Sequence, residues 1–224
     1  MREKKYINKI GLVCVGSELF SHVANSNIHI ATRVLESHGF EVNHNAIVHD
    51  NFENIIKAVE FCLINGDAVI ISGGLGPTFD DITREAIAQL VNKRLIFSMD
   101  AWHEIQERFR ERKISIIPDR NKKQAMIIEG AKRLINKLGT APGMMLDYME
   151  KPIFLLPGPP VEFEEMLISC VVPELLENTC SASTQRYIRK GFGIAGEPEA
   201  VVEEKTDILR EEMVCAGGEW TILA

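Results

Sequence analysis

The chain has 224 residues, of which 46% are hydrophobic and 25% charged, a length and balance that give one substantial core with room for a small second unit. A net charge of −7 at pH 7 disfavours non-specific nucleic-acid binding, which rests on cationic patches. No apolar run reaches membrane-spanning length, and the start MREKKYINKI is too polar for a secretory signal. Cys14, Cys62, Cys170, Cys180 and Cys215 are scattered with no CxxC pair, which fits neither a zinc site nor a disulfide framework. They read as reduced core thiols of a cytoplasmic protein.

Lys9 to Val15 is a short apolar run, a first buried strand ending in Gly16-Ser17-Glu18. From Asn27 to His38 the residues Ile28, Ala31, Val34 and Leu35 fall on one helical face, and Gly39 closes the helix. Phe40 to Val48 alternates as a strand and ends at His49-Asp50. Asn51 to Ile64 returns to helical spacing through Phe52, Ile55, Ile56, Val59 and Leu63, with Asn65-Gly66 as the stop. Strands alternating with helices over short connections predict a parallel sheet covered on both faces. Right-handed crossovers then bring the strand C-termini to one edge, where open α/β sheets bind ligands.

The next stretch, Asp67 to Arg84, organises the rest. Asp67-Ala-Val-Ile-Ile is a buried strand, continuous in apolar and β-branched residues. It empties into Ser72-Gly73-Gly74-Leu75-Gly76-Pro77-Thr78, and a helix follows with Asp80 or Asp81 near its start. The glycines permit positive φ and close approach of backbone N–H groups to a ligand. Strand, glycine turn and helix start form an anion cradle. Paired carboxylates beside such a cradle imply a bridging divalent cation; the alternative is a tight turn with an acidic helix cap. If the strand ends converge, Glu18, Asp50, Asp80 and Asp81 gather beside the cradle.

Asp100 to Arg112 reads as a charged helix with Trp102, Ile105 and Phe109 as a packing stripe, and Ile114 to Arg120 as a loop. Asn121 to Ala125 begins a short helix. Gly139-Thr140-Ala141-Pro142-Gly143 is a second ligand-facing turn, followed by strands at Met144 to Tyr148 and Pro152 to Leu156. The latter empties into Pro157-Gly158-Pro159-Pro160, a rigid turn or a substrate wall, and a last helix runs from Val161 to Leu176. Residues 178–185 are polar and small and read as a linker. Residues 186–224 offer a strand, a helix from Glu197 to Glu211 and an opening strand at Trp220 to Leu223 with no partner downstream. This small α+β segment is expected to be incomplete.

In order, the chain carries GSEL at 16–19, NSN ending at Asn27, SGGLGPTFDDIT at 72–83, NKKQA at 121–125, GTAPG at 139–143 and LLPGPP at 155–160. This series resembles the N-terminal domain of the competence/damage-inducible protein CinA, within the molybdopterin-binding fold shared with MoaB and MogA. The resemblance covers roughly residues 9 to 177 and implies a first domain over 1–177. It implies a three-layer α/β/α fold with a mostly parallel sheet, and a homo-oligomer. It also implies a divalent-metal-dependent pyrophosphatase acting on ADP-ribose-like dinucleotides, with Mg, Mn or Co as the ion. The C-terminal deamidase domain of full-length relatives has no counterpart in these residues.

Carried over by position, Ser72, Gly73, Gly74, Leu75, Gly76, Pro77 and Thr78 form the phosphate loop. Asp50, Asp80 and Asp81 serve the metal or the attacking water. Ser17, Glu18 and Asn27 sit at the pocket floor and mouth, with Gly139, Pro157, Gly158 and Pro159 closing it. Related sequences carry LLxGxxxxTN where this chain has Leu19 to Asn27, one residue shorter and without that glycine, with His22 adding bulk. Two other readings stand beside hydrolysis: a protein of molybdenum cofactor biosynthesis that binds or adenylylates molybdopterin, and a non-catalytic nucleotide-binding module. The ligand is a nucleotide or pterin in each, with no nucleic-acid or membrane partner.

Overall fold

The computed structural model describes residues 7–21, 24–179, 192–218 and 220–222. The chain divides into two compact units, Met1–Tyr187 and Ile188–Ala224. In the first, β1 (Lys9–Val15) leads through a 3₁₀ turn at Ser17–Phe20 into α1 (Ser26–Ser37), then β2 (Glu41–Val48), α2 (Phe52–Asn65) and β3 (Ala68–Ser72). The predicted order and bounds hold here to within a residue or two. Gly39, just past α1, has φ 87°, and α2 is capped by Asn51, whose side chain accepts from Asn54 N at 3.1 Å.

After the glycine loop come α3 (Thr83–Leu90), β4 (Leu95–Phe97), α4 (Met99–Glu111) and a 3₁₀ segment at Asp119–Ala125. β5 (Met126–Ile128), β6 (Lys132–Leu134), β7 (Gly143–Tyr148) and β8 (Lys151–Leu156) follow. The two short strands β4 and β5 pair antiparallel as a separate ribbon.

The main sheet has the order β2-β1-β3-β8-β7-β6. β1, β2, β3 and β8 run parallel, whereas β7 pairs antiparallel with both β8 and β6. Side chains alternate across it. Val69 and Ile71 of β3 join a core with α2, α3 and α4, including Val59, Ile87 and Ile105. Ala68 and Ile70 join the opposite core, with Leu35 of α1 and Phe163, Met166 and Leu175 beyond β8. Helices thus cover both faces of a mostly parallel sheet, the expected three-layer arrangement.

The last helix of this unit is not one piece. It runs as α5 (Pro160–Met166), a π turn at Leu167–Val171 and α6 (Val172–Asn178). Pro173 is the physical cause: it cannot donate a hydrogen bond and its ring crowds the preceding turn, and a π turn absorbs the misfit.

The second unit contains α7 (Glu199–Cys215), extending the expected helix at its C-terminal end. Trp220 to Ile222 do not form the expected strand. Of the linker expected over 178–185, Asn178 instead ends α6; residues 180–185 and the start of the strand expected at Arg186 lie outside the described residues. Cys14 and Cys62 are buried, but Cys170 is half-buried and Cys215 exposed, so the reading of all cysteines as core thiols fails for these two. Cys180 lies outside the described residues. Among the described residues no helix is long and apolar enough to cross a membrane.

Candidate functional site

The parallel strands end side by side, with Cys14 paired to Ser72, Val15 to Val48 and Ser72 to Leu156. The loops that leave them enclose a cleft of about 590 Å³. Glu18, Asn27, Asp50, Gly73, Gly74, Leu75, Gly76, Thr78, Asp80, Asp81, Gly139, Pro157, Gly158 and Pro159 all line it. Topology therefore gathers residues from five separate loops, as the strand order predicts. Ser17, Ser72 and Pro77 do not line the cleft. Ser72 is 2% exposed and lies beneath it, and Ser17 acts through Asp50.

The glycine loop is held by contacts that leave little freedom. Gly73 and Gly74 have φ of 103° and 68°. A Cβ on Gly73 would stand 2.1 Å from Val15 O, and one on Gly74 2.0 Å from Thr83 Oγ1, so a side chain is excluded by space as well as by φ. Gly73 N donates to Leu156 O at 3.0 Å, extending the β3–β8 ladder by one step. That amide is thus unavailable to a phosphate. Thr83 Oγ1 donates to Gly73 O at 2.9 Å. Among the described residues the amides of Gly74, Leu75 and Gly76 have no hydrogen-bond acceptor in the protein. These three are the free donors of the cradle.

Asp81 is not a helix cap. α3 starts at Thr83, and its N-cap residue, Ile82, has no side-chain cap. Asp81 Oδ2 instead accepts from Thr78 N at 2.8 Å and from the Thr78 hydroxyl, closing the loop on itself. A Cβ on Gly76 would lie 2.4 Å from Asp81 Oδ2, so a side chain there would have to displace that carboxylate. Asp50 is held similarly: its Oδ2 accepts from Ser17 N at 2.8 Å and Ser17 Oγ at 3.0 Å. The Thr78 hydroxyl, whose single proton Asp80 shares with Asp81, the Asp80 backbone N–H and, less strongly, the charge of Lys123 hold the Asp80 carboxyl below the ordinary aspartate value.

The carboxylates do not form a cage. Among the described residues no three His, Cys, Asp or Glu side chains stand close enough to hold a metal ion together. Separate carboxylates around a phosphate loop do fit an ion of the Mg²⁺ type, which takes one or two protein carboxylates and completes its shell with ligand phosphates and water.

Among the residues that escaped the sequence reading, three line the cleft with polar side chains, Arg112, Gln124 and Glu162, and a fourth, Arg84, lies beneath the glycine loop. Arg84 is fully buried and donates from Nη1 to Leu75 O at 2.7 Å and from Nη2 to Gly76 O at 2.8 Å. Gln124 is held by Asn121 Nδ2 at 2.8 Å. Arg112 lines the cleft while donating to Leu138 O at 2.7 Å. Glu162 does so while accepting from Asn136 Nδ2 at 2.7 Å. Only Arg84 carried a usable signal: a charge one position past Thr83, in a helix whose Thr83, Ala86 and Ile87 are buried. The segment containing His22 lies outside the described residues.

Comparison with known proteins agrees with this architecture. A CinA-like protein of Dictyoglomus thermophilum is 36% identical over 203 residues, covering 90% of this chain and 48% of the relative. One from Endomicrobium trichonymphae is 37% identical over 215 residues, covering 92% and 49%. The chain therefore spans about half the length of the curated relatives it matches. The crystal structure of CinA from Thermoplasma acidophilum, a protein described as of unknown function, aligns with TM-score 0.68 and 29% identity, over 75% of this chain and 98% of that one. A molybdopterin biosynthesis protein from Mycobacterium abscessus shares the fold at TM-score 0.53 and 17% identity, over 76% and 92% of the two chains. Residues 11–177 match the family described as Probable molybdopterin binding domain, and the chain belongs to that family, alongside the CinA-like proteins.

Proposed function

We propose that this domain is a divalent-metal-dependent pyrophosphatase acting on ADP-ribose-like dinucleotides. One observation carries the reading: the free amides of Gly74, Leu75 and Gly76 line the same cleft as Asp50, Asp80 and Asp81. The amides suit the oxygens of a phosphoanhydride, whose negative charge grows during hydrolysis. The carboxylates suit the ion that a pyrophosphate brings with it. One or two of Asp50, Asp80 and Asp81, together with the ligand's own phosphates, would hold Mg²⁺, Mn²⁺ or Co²⁺, which would polarise a phosphoryl oxygen and acidify a water. The cleft volume of about 590 Å³ falls within the range of small-molecule sites.

Family membership favours a second reading, in which a pterin occupies the cleft without turnover. Incubating the protein with ADP-ribose and each metal while following AMP by chromatography separates the two. Metal-dependent AMP that falls at least about a hundredfold in both Asp80→Asn and Asp81→Asn supports hydrolysis. No AMP with any metal, together with saturable pterin binding, replaces it with the binding role.

A further inference from the structure

The interior beneath the glycine loop holds a buried positive charge. Arg84 is 0% exposed, and among the described residues no carboxylate lies within ion-pair distance of it. Asp81 and Glu85 are near enough to influence it, yet each is engaged elsewhere. Asp81 accepts from Thr78, and Glu85 pairs with Lys123 at 3.6 Å. A buried guanidinium without a carboxylate partner is costly, and burial indeed makes the protonated form harder to keep. Two carbonyls, those of Leu75 and Gly76, are its only hydrogen-bond acceptors among the described residues.

Those two bonds also set the direction of the loop. In a trans peptide the carbonyl and the following N–H point in opposite directions, and no peptide bond here is cis. Pinning Leu75 O inward at 2.7 Å therefore turns Gly76 N–H away from Arg84. The next peptide, held through Gly76 O at 2.8 Å, leads into Pro77, which has no N–H. Gly76 N–H is the one donor that this clamp aims.

We infer that Arg84 is the counter-charge of the cleft, a buried positioning residue that aims Gly76 N–H at the ligand and balances the negative charge of a phosphate or pyrophosphate group. The inference rests on the phosphate-cleft reading above. It assigns the loop to the most anionic part of the ligand, not to a neutral ring, and makes affinity depend on ligand charge through a residue the ligand never touches.

The test compares ADP-ribose, AMP and adenosine as ligands, with affinities measured by titration calorimetry or ligand-observed NMR and folding followed by thermal melting. Arg84→Gln keeps a donor without the charge, Arg84→Lys keeps the charge without the fork, and Ile87→Ala serves as a buried control in the same helix. The expected result is that Arg84→Gln weakens ADP-ribose and AMP alike, each about tenfold or more, since both carry about two negative charges above neutral pH, and adenosine within about twofold. Arg84→Lys should recover part of the loss, and Ile87→Ala should melt earlier with the order of affinities unchanged. Equal losses for all three ligands, no loss in Arg84→Gln, or a lysine no better than glutamine would overturn the assignment. If the unaltered protein binds neither ADP-ribose nor AMP, the phosphate-cleft reading itself fails, a result distinct from all of these.

Discussion

Asn27 Nδ2 donates to the hydroxyl of Ser72 at 2.8 Å and to Gly158 O at 2.7 Å, joining the start of α1, the end of β3 and the loop after β8 through one amide. These bonds fix which way the amide faces. Among the described residues the buried Asn27 Oδ1 has no hydrogen-bond partner. Asn27→Ala is expected to cost about 1–3 kcal/mol in urea-melt stability and to weaken nucleotide binding. Asn27→Asp should be worse than Asn27→Ala for an anionic ligand. An Asp variant that binds ADP-ribose as well as the unaltered protein would remove Asn27 from the site.

Gly74→Ala should damage the cleft more than the fold's remaining parts. Its φ of 68° and the 2.0 Å approach of a Cβ to Thr83 Oγ1 leave no room unless the Thr83–Gly73 bond breaks. A loss of roughly 2–3 kcal/mol is expected, with ligand-induced stabilisation abolished. Serine in place of Thr83 should leave the loop intact, because the hydroxyl that holds Gly73 O is kept. Thermal melts with and without ADP-ribose and Mg²⁺ check both variants.

Ser17 acts on the cleft only through Asp50, so its substitution tests a lever instead of a contact. Ser17→Ala removes the 3.0 Å hydroxyl bond to Asp50 Oδ2 but leaves the backbone bond at 2.8 Å. Turnover should fall by less than about tenfold, whereas Asp50→Asn should fall much further. Steady-state assays across a Mn²⁺ titration provide the comparison. Equal effects of the two substitutions would contradict this order.

The buried thiols predict a falling stability in alkali. Burial raises Cys62 from 9.0 to about 11, and Cys14 is raised as well, chiefly by burial. The folded state keeps these protons while the unfolded chain releases them. Their contribution is therefore complete below pH 9.0 and is lost as the pH climbs toward about 11. Urea melts from pH 8 to 10.5, at about half-unit steps, should show a shallower decline in Cys62→Ala than in the unaltered chain.

Gly11 of β1 and Cys62 of α2 meet so closely that a Cβ on Gly11 would stand 2.5 Å from Cys62 Cβ. Gly11→Ala should push α2 off the sheet at a cost of about 1–3 kcal/mol. Combining it with Cys62→Gly should recover part of that loss, since removing the Cys62 side chain opens the space that the new methyl needs. Additive losses in the double variant would place the strain elsewhere.

Long, regular patterns were legible and short ones were not. β1, β3, α1 and α2 follow from continuous apolar runs and a clean helical period, each long enough to fix its own bounds. β4, β5 and β6 have three residues apiece, too few to display a period, and they exist because a partner strand supplies the ladder. The β7–β8 hairpin turns at Met149 and Glu150, both at positive φ, without the glycine or asparagine that announces such a turn. The cleft was legible because strand order alone decides which loops meet. Arg84 was legible only as a charge on the buried face of α3, and neither its hold on the loop nor the π turn before Pro173 could be read, since both depend on what packs around them.

The pairing of β3 with β8, Val69 against Ile153, has a kinetic consequence. Everything from the glycine loop through β7 is synthesised between these neighbours, so the floor of the cleft closes only after a long excursion of chain has been brought back. Such non-local closure slows folding, and the floor of the cleft is expected to form late. A molecule that binds the finished cleft should then slow the loss of β8 more than the fraying of an outer strand, which hydrogen exchange with and without ligand checks.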